Sequence, residues 1–172
     1  PIAENTDPLN IQVGNPNLKQ EFRHNFSAFF NDYKVMTSRN VYMNVGMNLI
    51  ENAISGNDFV DTLGRRVYQF VNVNGNVDYF MYTGYWFQVK KWKLNINSGI
   101  SANGGKINNF INNIKNTNKY YTLGGNVGMW YEKEKKYSLN FEFRPSYTNS
   151  KSSVRPDVIT KYWTIDNELA TT

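Results

Sequence analysis

A strict alternation of apolar and polar side chains over residues 18–33 is the feature that most constrains this chain. Phe22, Phe26 and Phe30 stand at even positions, whereas Glu21 and Arg23 stand at odd ones. A period of two places the two kinds on opposite faces of a β-strand. The stretch is longer than the about 5–6 residues of a common strand and suffices for the roughly 9–11 that cross a bilayer. It therefore predicts either a half-buried soluble sheet or a membrane barrel with a lipid-facing and a water-facing side.

Further segments with the same period predict an all-β fold. They cover residues 40–54, 77–89, a strand beginning at Trp92, and residues 120–131, 137–147 and 161–172. Residues 1–17 contain turn formers and are predicted as a loop lead-in. Pro145 cannot donate to a ladder, so we expect it near a strand end or at a bulge. The prediction is an antiparallel up-and-down β-barrel, a meander of about seven long strands.

The connections between the predicted strands alternate between short and long. Residues 31–39, 90–91 and 132–136 are short connections, and residues 55–74, 103–119 and 149–160 are predicted as long loops. Asn74-Gly75 fits either a hairpin turn or a bulge within a continued strand, and a loop excursion is the interpretation preferred here. A short helical turn within residues 103–119 is a lesser alternative. Outer-membrane barrels keep short turns on the periplasmic side and long loops outside, where we expect substrate capture.

Composition supports a sheet with one wet face. Aromatic residues make up 16% and charged residues 19% of the 172 residues, and Asn is frequent. Asn is poor in strand interiors, so a polar barrel lumen would accommodate it. Aromatic residues recur near predicted strand ends, as in the girdles of membrane barrels. The net charge of +5 is spread along the chain, which argues against a nucleic-acid partner.

The polar rows of the predicted strands are the candidate functional residues. In a membrane barrel these rows surround the water-filled interior. The predicted lumen-facing residues are Glu21, Arg23, Asn25, Asn44, Asn48, Asn95, Asn97, Asn126, Asn140, Glu142 and Arg144.

No motif in the sequence indicates an enzyme, a metal site or a cofactor. The chain has no Cys and a single histidine, His24, which cannot build a multi-histidine metal site. Asp58 and Asp61 lack the spacing of a calcium loop. Glu142 and Glu168 lie on different predicted strands, and nothing in the sequence pairs them as glycosidase carboxylates. We therefore expect no catalytic residue, no metal and no cofactor.

Two short motifs carry a resemblance to a known family. Residues 14–21 read Gly-Asn-Pro-Asn-Leu-Lys-Gln-Glu, with Asn25 four residues later, and residues 72–75 read Asn-Val-Asn-Gly. The first resembles the G-N-P-x-L-x-P-E signature of Bacteroidota outer-membrane β-barrel proteins, with Gln20 in place of the customary Pro. The second resembles an N-x-N-G piece of the same family, which is similar to TonB-dependent receptors.

The resemblance implies a bacterial outer-membrane location and a receptor or transporter role. Residues 18–172 would then be an incomplete part of a larger barrel, similar to the C-terminal barrel part of such receptors. The implied partners are outer-membrane lipid, an unknown polar substrate, and an energy-coupling protein that acts through domains absent from this sequence. The alternative is a soluble β-sandwich or small barrel that binds a ligand or a protein, with the apolar rows forming a dry core.

Overall fold

The computed structural model describes residues 3–7, 9–133 and 136–171, and they form eleven strands and two single-turn 3₁₀ helices. The helices are Val35–Thr37 and Lys90–Trp92. The strands are β1 (Ala3–Asp7), β2 (Asn10–Val13), β3 (Phe22–Lys34), β4 (Arg39–Glu51), β5 (Ala53–Val60), β6 (Arg66–Val73), β7 (Asn76–Val89), β8 (Leu94–Ile111), β9 (Ile114–Lys133), β10 (Tyr137–Ser152) and β11 (Ile159–Thr171).

The strands form a large antiparallel sheet and a small mixed one. The large sheet has seven strands in the order β11-β10-β9-β8-β7-β4-β3, and the small sheet has four in the order β1-β2-β6-β5. All neighbours in the large sheet are antiparallel, whereas β2 and β6 are parallel. The seven predicted strands therefore form the predicted up-and-down meander, and in the described residues its edges β3 and β11 do not pair with each other.

Residues 55–74 are not a loop, and this prediction was wrong. Strands β5 and β6 form a hairpin in the small sheet that continues the β4–β7 hairpin. Ile50 pairs with Asn76 and Ala53 pairs with Val73, so equal numbers of residues separate the two ladders on both sides. Positive φ angles at Asn52 (51°) and Gly75 (85°) bend the hairpin between them. Asn74-Gly75 is therefore neither a hairpin turn nor a bulge, since neither side of the hairpin has an extra residue.

The predicted loop and the lesser helical turn over residues 103–119 were also wrong. Strands β8 and β9 stay paired to Ile111 and Ile114, and Asn112 and Asn113 close the hairpin with φ angles of 49° and 62°. Two consecutive residues with positive φ are typical of a type I′ hairpin turn, which Asn tolerates. The period of two is lost here because polar residues lie on both faces of this hairpin end.

Other boundaries differ less. Residues 1–17 contain β1 and β2 rather than only loop, and Trp92 ends a 3₁₀ helix because Lys93 takes a left-handed conformation. The loop predicted at residues 149–160 spans only 153–158. Pro145 lies within β10, where the ladder to β9 lacks the pairs of residues 144 and 145 but keeps its register, so it neither ends the strand nor forms a bulge. The charge run at residues 132–136 lies partly outside the described residues, as does Thr172.

The apolar rows of the large sheet do not enclose a dry core. Among the described residues, Ala53 and Val73 are the buried apolar side chains, whereas Phe26 is 57% and Ile100 is 61% exposed. A soluble sandwich would bury these rows, because burial of apolar area stabilises such a fold. The sandwich alternative is therefore wrong. None of the helices in the described part of the chain is long and apolar enough to cross a membrane.

Candidate functional site

The pairing register of the large sheet places the polar rows of all seven strands on one side, here called the polar face. Directly paired residues of antiparallel strands lie on the same face, so one row can be followed across the sheet. One such row contains Tyr33, Asn40, Trp86, Asn97, Gly128, Glu142 and Glu168. The opposite side, here called the apolar face, carries residues such as Phe26, Val45 and Leu123.

Ten of the eleven candidate residues lie on the polar face. Asn25 pairs with Asn48, and Asn95 and Asn140 both pair with Trp130. The other members are Arg23, Asn44, Asn97, Asn126, Glu142 and Arg144. Glu21 precedes β3, where its carboxylate accepts a hydrogen bond from the Ile54 N–H (3.1 Å) and pairs with Arg23 (3.1 Å).

An aromatic area on the polar face was missed by the sequence reasoning, which left the orientation of residues 77–89 undetermined. Its six rings come from three adjacent strands, β3, β4 and β7. They are Phe29, Tyr33, Tyr42, Phe80, Tyr82 and Trp86. These rings lie in four rows of directly paired residues across the three strands, and none of the four rows contains a charged residue. The polar face is therefore an uncharged aromatic and amide surface on this side.

Glycines on the polar face accommodate the side chains that face them from the next strand. A Cβ at Gly84 would lie 2.4 Å from the ring of Tyr42, and one at Gly46 would lie 2.5 Å from Phe80. Both aromatic residues are the direct pairing partners of these glycines. The rings of Tyr42 and Phe80 therefore occupy the space that a side chain at residue 84 or 46 would fill.

We expect Gly84→Ala to lower the free energy of unfolding by about 1–3 kcal/mol, because the added methyl group overlaps the Tyr42 ring. Gly125→Ala is the matched control, since its nearest neighbour, the carbonyl oxygen of Gly99, lies at an ordinary contact distance of 3.6 Å. Denaturant unfolding of both variants measures the difference. Equal stability of the two variants would contradict the close packing of Tyr42 on Gly84.

An ion-pair cluster lies on the polar face near the β11 edge. Arg144 donates to Asp166 at 3.2 Å, lies 3.7 Å from a carboxylate oxygen of Glu168, and also pairs with Glu142. Glu142 and Glu168, which the sequence left unconnected, are direct pairing partners. Because both carboxylates share one guanidinium, the arrangement is an ion-pair network. The described residues contain no group of three or more His, Cys, Asp or Glu that could hold a metal ion.

Buried amides organise the long-connection end of the large sheet, which carries the β5–β6 hairpin, the β8–β9 hairpin turn and the 153–158 loop. Asn116 is 2% exposed; its Oδ1 accepts bonds from the hydroxyls of Ser152 (2.7 Å) and Ser153 (3.2 Å) and from the Val154 N–H (3.2 Å). Its Nδ2 donates to Asn109 and Asn118, both at 3.1 Å. Asn116 therefore ties the 153–158 loop to the β8–β9 hairpin.

The two motifs of the family resemblance contact each other. The Asn72 side chain accepts a bond from the Lys19 N–H (2.6 Å) and donates to the Lys19 carbonyl (2.9 Å) and the Asn52 carbonyl (2.7 Å). Asn15 donates to the Phe70 carbonyl at 2.9 Å. The first motif is thereby fixed beside the bend that the second motif forms.

Two carboxylates stabilise the β5–β6 hairpin of the small sheet. Asp61 accepts bonds from the N–H groups of Leu63 and Arg65, both at 2.9 Å, and from the Arg65 guanidinium at 2.7 Å. Arg66 donates to both carboxylate oxygens of Asp58. The bond from the Arg65 backbone is the main cause that lowers the pKa of Asp61, and the Arg66 guanidinium lowers the pKa of Asp58.

These lowered pKa values predict that acid loosens the hairpin turn. A carboxyl with a lowered pKa stabilises the fold above its ordinary value, here 3.8, and this contribution is lost as the pH falls through the folded-state pKa. Amide exchange at residues 61–66, corrected for its intrinsic rate, should therefore rise relative to β8 as the pH falls from about 5 to below the ordinary carboxyl pKa. Asp61→Asn should reduce this dependence, and an unchanged profile in that variant would contradict the assignment.

The fold and these two faces define a class of protein. A long-stranded antiparallel meander with one exposed apolar face and one polar face is the architecture of an outer-membrane β-barrel. The model of the outer membrane protein beta-barrel family matches residues 1–168. The chain therefore belongs to this family, and its location is the bacterial outer membrane. Neither the curated proteins nor the solved structures gave a match.

Proposed function

We propose that the chain forms part of the wall of an outer-membrane receptor or transporter whose polar face lines the passage for a polar substrate. The observation that carries this proposal is the separation of the two faces across all seven strands. Exposed apolar residues such as Phe26 and Ile100 suit contact with lipid, which leaves the amide and aromatic residues for the interior. The small sheet and the β8–β9 hairpin end would lie outside the cell and capture the substrate.

The edges of the sheet support a larger barrel. Strand β3 runs into a short connection and β11 follows a long one, so both run toward the short-connection end. Each edge therefore requires a neighbour that runs the opposite way, and an odd number of further strands completes an antiparallel barrel. A second copy inserted in the same orientation would offer only a parallel neighbour. An open edge in lipid is costly because its backbone groups lack partners.

The uncharged aromatic and amide surface on β3, β4 and β7 favours an uncharged polar substrate over an ionic one, since no charged group is present there to pair with an ion. The two contacting motifs resemble those of Bacteroidota receptors similar to TonB-dependent ones, so we also propose energy coupling through a periplasmic partner. The proposal includes no catalytic step and no cofactor.

Single cysteines on adjacent residues test the assignment of the faces. The chain contains no Cys, so each introduced thiol is unique within it. We would compare Asn44→Cys with Val45→Cys, and Ser146→Cys with Tyr147→Cys, in the full-length protein in outer-membrane vesicles. A water-soluble maleimide should label the first member of each pair and leave the second unlabelled.

A functional measurement follows from the same variants. A bulky maleimide attached at residue 44 or 146 should reduce the uptake of uncharged polar solutes by cells that produce the protein, whereas variants at residues 45 and 147 should keep it. Labelling of residues 45 and 147 alone would reverse the two faces. Correct labelling with no uptake of any polar solute would contradict the transport role and leave the orientation intact.

A further inference from the structure

A row of three lysines crosses the apolar face at the long-connection end of the large sheet. Lys106 on β8 pairs directly with Lys119 on β9, which pairs directly with Lys151 on β10. The same row continues to Val77 and Leu49 on the other side. These ammonium groups therefore belong to the face that carries the apolar side chains. We call Lys106, Lys119 and Lys151 the lysine row.

The lysine row is unfavourable unless an anion is close. Like charges directly opposite each other on neighbouring strands destabilise a sheet. All three residues are exposed, and no carboxylate of the described residues forms an ion pair with any of them. The β8–β10 part of the sheet thus presents three adjacent, uncompensated positive charges to its surroundings.

The row lies where lipid headgroups are expected. On each of the three strands, twelve residues separate the lysine from an apolar-face residue near the short-connection end. These residues are Leu94 on β8, Tyr131 on β9 and Leu139 on β10. Twelve residues at about 3.3 Å each span about 40 Å along a strand, or about 30 Å across a membrane at a tilt of about 40°. The apolar band of a barrel is about 25 Å tall, so the row lies just beyond it.

Aromatic residues mark the same boundary. Tyr79 and Tyr121 both pair with Gly104 and lie in the row next to the lysine row on the apolar face. Such rings collect at the depth of the headgroups. Lysines directly beyond them can extend their ammonium groups into the headgroup layer.

We propose that the lysine row binds the phosphate groups of anionic lipid headgroups in the outer leaflet of the outer membrane. The inference rests on the proposed orientation of the apolar face toward lipid and goes beyond the transport role. Phosphate supplies the negative charge that the protein lacks at this position. Three adjacent strands then hold one or two headgroups across the hairpins that connect them, which strengthens the wall next to the substrate-capturing end.

The test compares phosphorylated with phosphate-free lipid. The full-length protein in neutral detergent would be titrated with bis-phosphorylated lipid A and with the same glycolipid after removal of its phosphates. The wild type should prefer the phosphorylated form. The Lys106→Gln, Lys119→Gln, Lys151→Gln triple variant should bind that form about a hundredfold more weakly, since each basic residue near an anionic surface contributes about a factor of five.

A matched triple variant controls for total charge. Lys91→Gln, Lys93→Gln and Lys133→Gln remove three exposed lysines near the short-connection end and should leave the preference unchanged. The lysine-row variant should also be at least as stable as the wild type in lipid-free detergent, because it loses like-charge repulsion. The phosphorylated lipid should raise the melting temperature of the wild type and of this control variant, but not that of the lysine-row variant.

The inference is overturned if the wild type binds both glycolipids equally, or if the lysine-row variant keeps the wild-type preference. These outcomes are separate from a failure of the proposed function. Equal binding of both glycolipids by the wild type, together with correct cysteine labelling of the two faces, would overturn the lysine row alone, whereas reversed labelling would overturn the orientation on which both depend.

Discussion

Replacing Ile100 by Arg should lower the free energy of unfolding in lipid vesicles by about 2–4 kcal/mol, the cost of a cation at the middle of the bilayer. Ile100 is 61% exposed on the apolar face and lies halfway between Leu94 and Lys106 on β8. The cost should decrease toward the lysine row, so Val45→Arg should cost less and Phe26→Arg should approach the about 0–1 kcal/mol of an interface position. Denaturant titrations of the full-length protein in vesicles measure this gradient.

The adjacent residue provides the control for this gradient. Ser101 lies on the polar face at nearly the same depth, so Ser101→Arg should lose much less stability because its charge enters a water-filled interior. Equal losses at residues 100 and 101 would indicate that both faces have the same surroundings. That result would contradict the lipid-facing assignment directly.

Asn116→Leu should lower the free energy of unfolding by about 2–4 kcal/mol, because the substitution removes all the hydrogen bonds of a buried amide and leaves its part-buried partners without them. The side chain is 2% exposed, accepts bonds from Ser152, Ser153 and the Val154 N–H, and donates to Asn109 and Asn118. Leu keeps a similar volume, so the loss reports hydrogen bonding rather than a cavity. Asn140→Leu, at a half-buried position on the polar face, should cost less.

Hydrogen exchange localises the effect of the Asn116 substitution. Amides of residues 153–158 and of the β8–β9 hairpin end should exchange faster in Asn116→Leu, while β3 and β4 should keep their protection. Faster exchange throughout the large sheet would mean that Asn116 contributes to global stability instead of fixing the loop. Unchanged exchange at residues 153–158 would contradict its role as the connection between loop and hairpin.

The faces of most strands were readable from the sequence, and the hairpin ends were not. In β3 and β10 the period of two is clean because one side meets an apolar environment and the other a polar one. At residues 107–118 both sides carry amides, so the pattern that identifies a strand is absent even though the strand continues. The β5–β6 hairpin was taken for a loop because Gly, Asn and Asp residues between 56 and 64 interrupt the apolar pattern, although residues 53–60 and 66–73 pair as strands.

The sequence alone determined the class of fold and the two-faced character of the sheet, because both depend on residues that are close along the chain. Only the tertiary structure decided which rows meet across strands. Register joins residues far apart in sequence, such as Glu142 with Glu168, and Lys106 and Lys119 with Lys151. It also placed Phe80, Tyr82 and Trp86 of β7 on the polar face and the other three aromatic residues of β7 on the apolar face, through the pairing of β7 with β4 and β8.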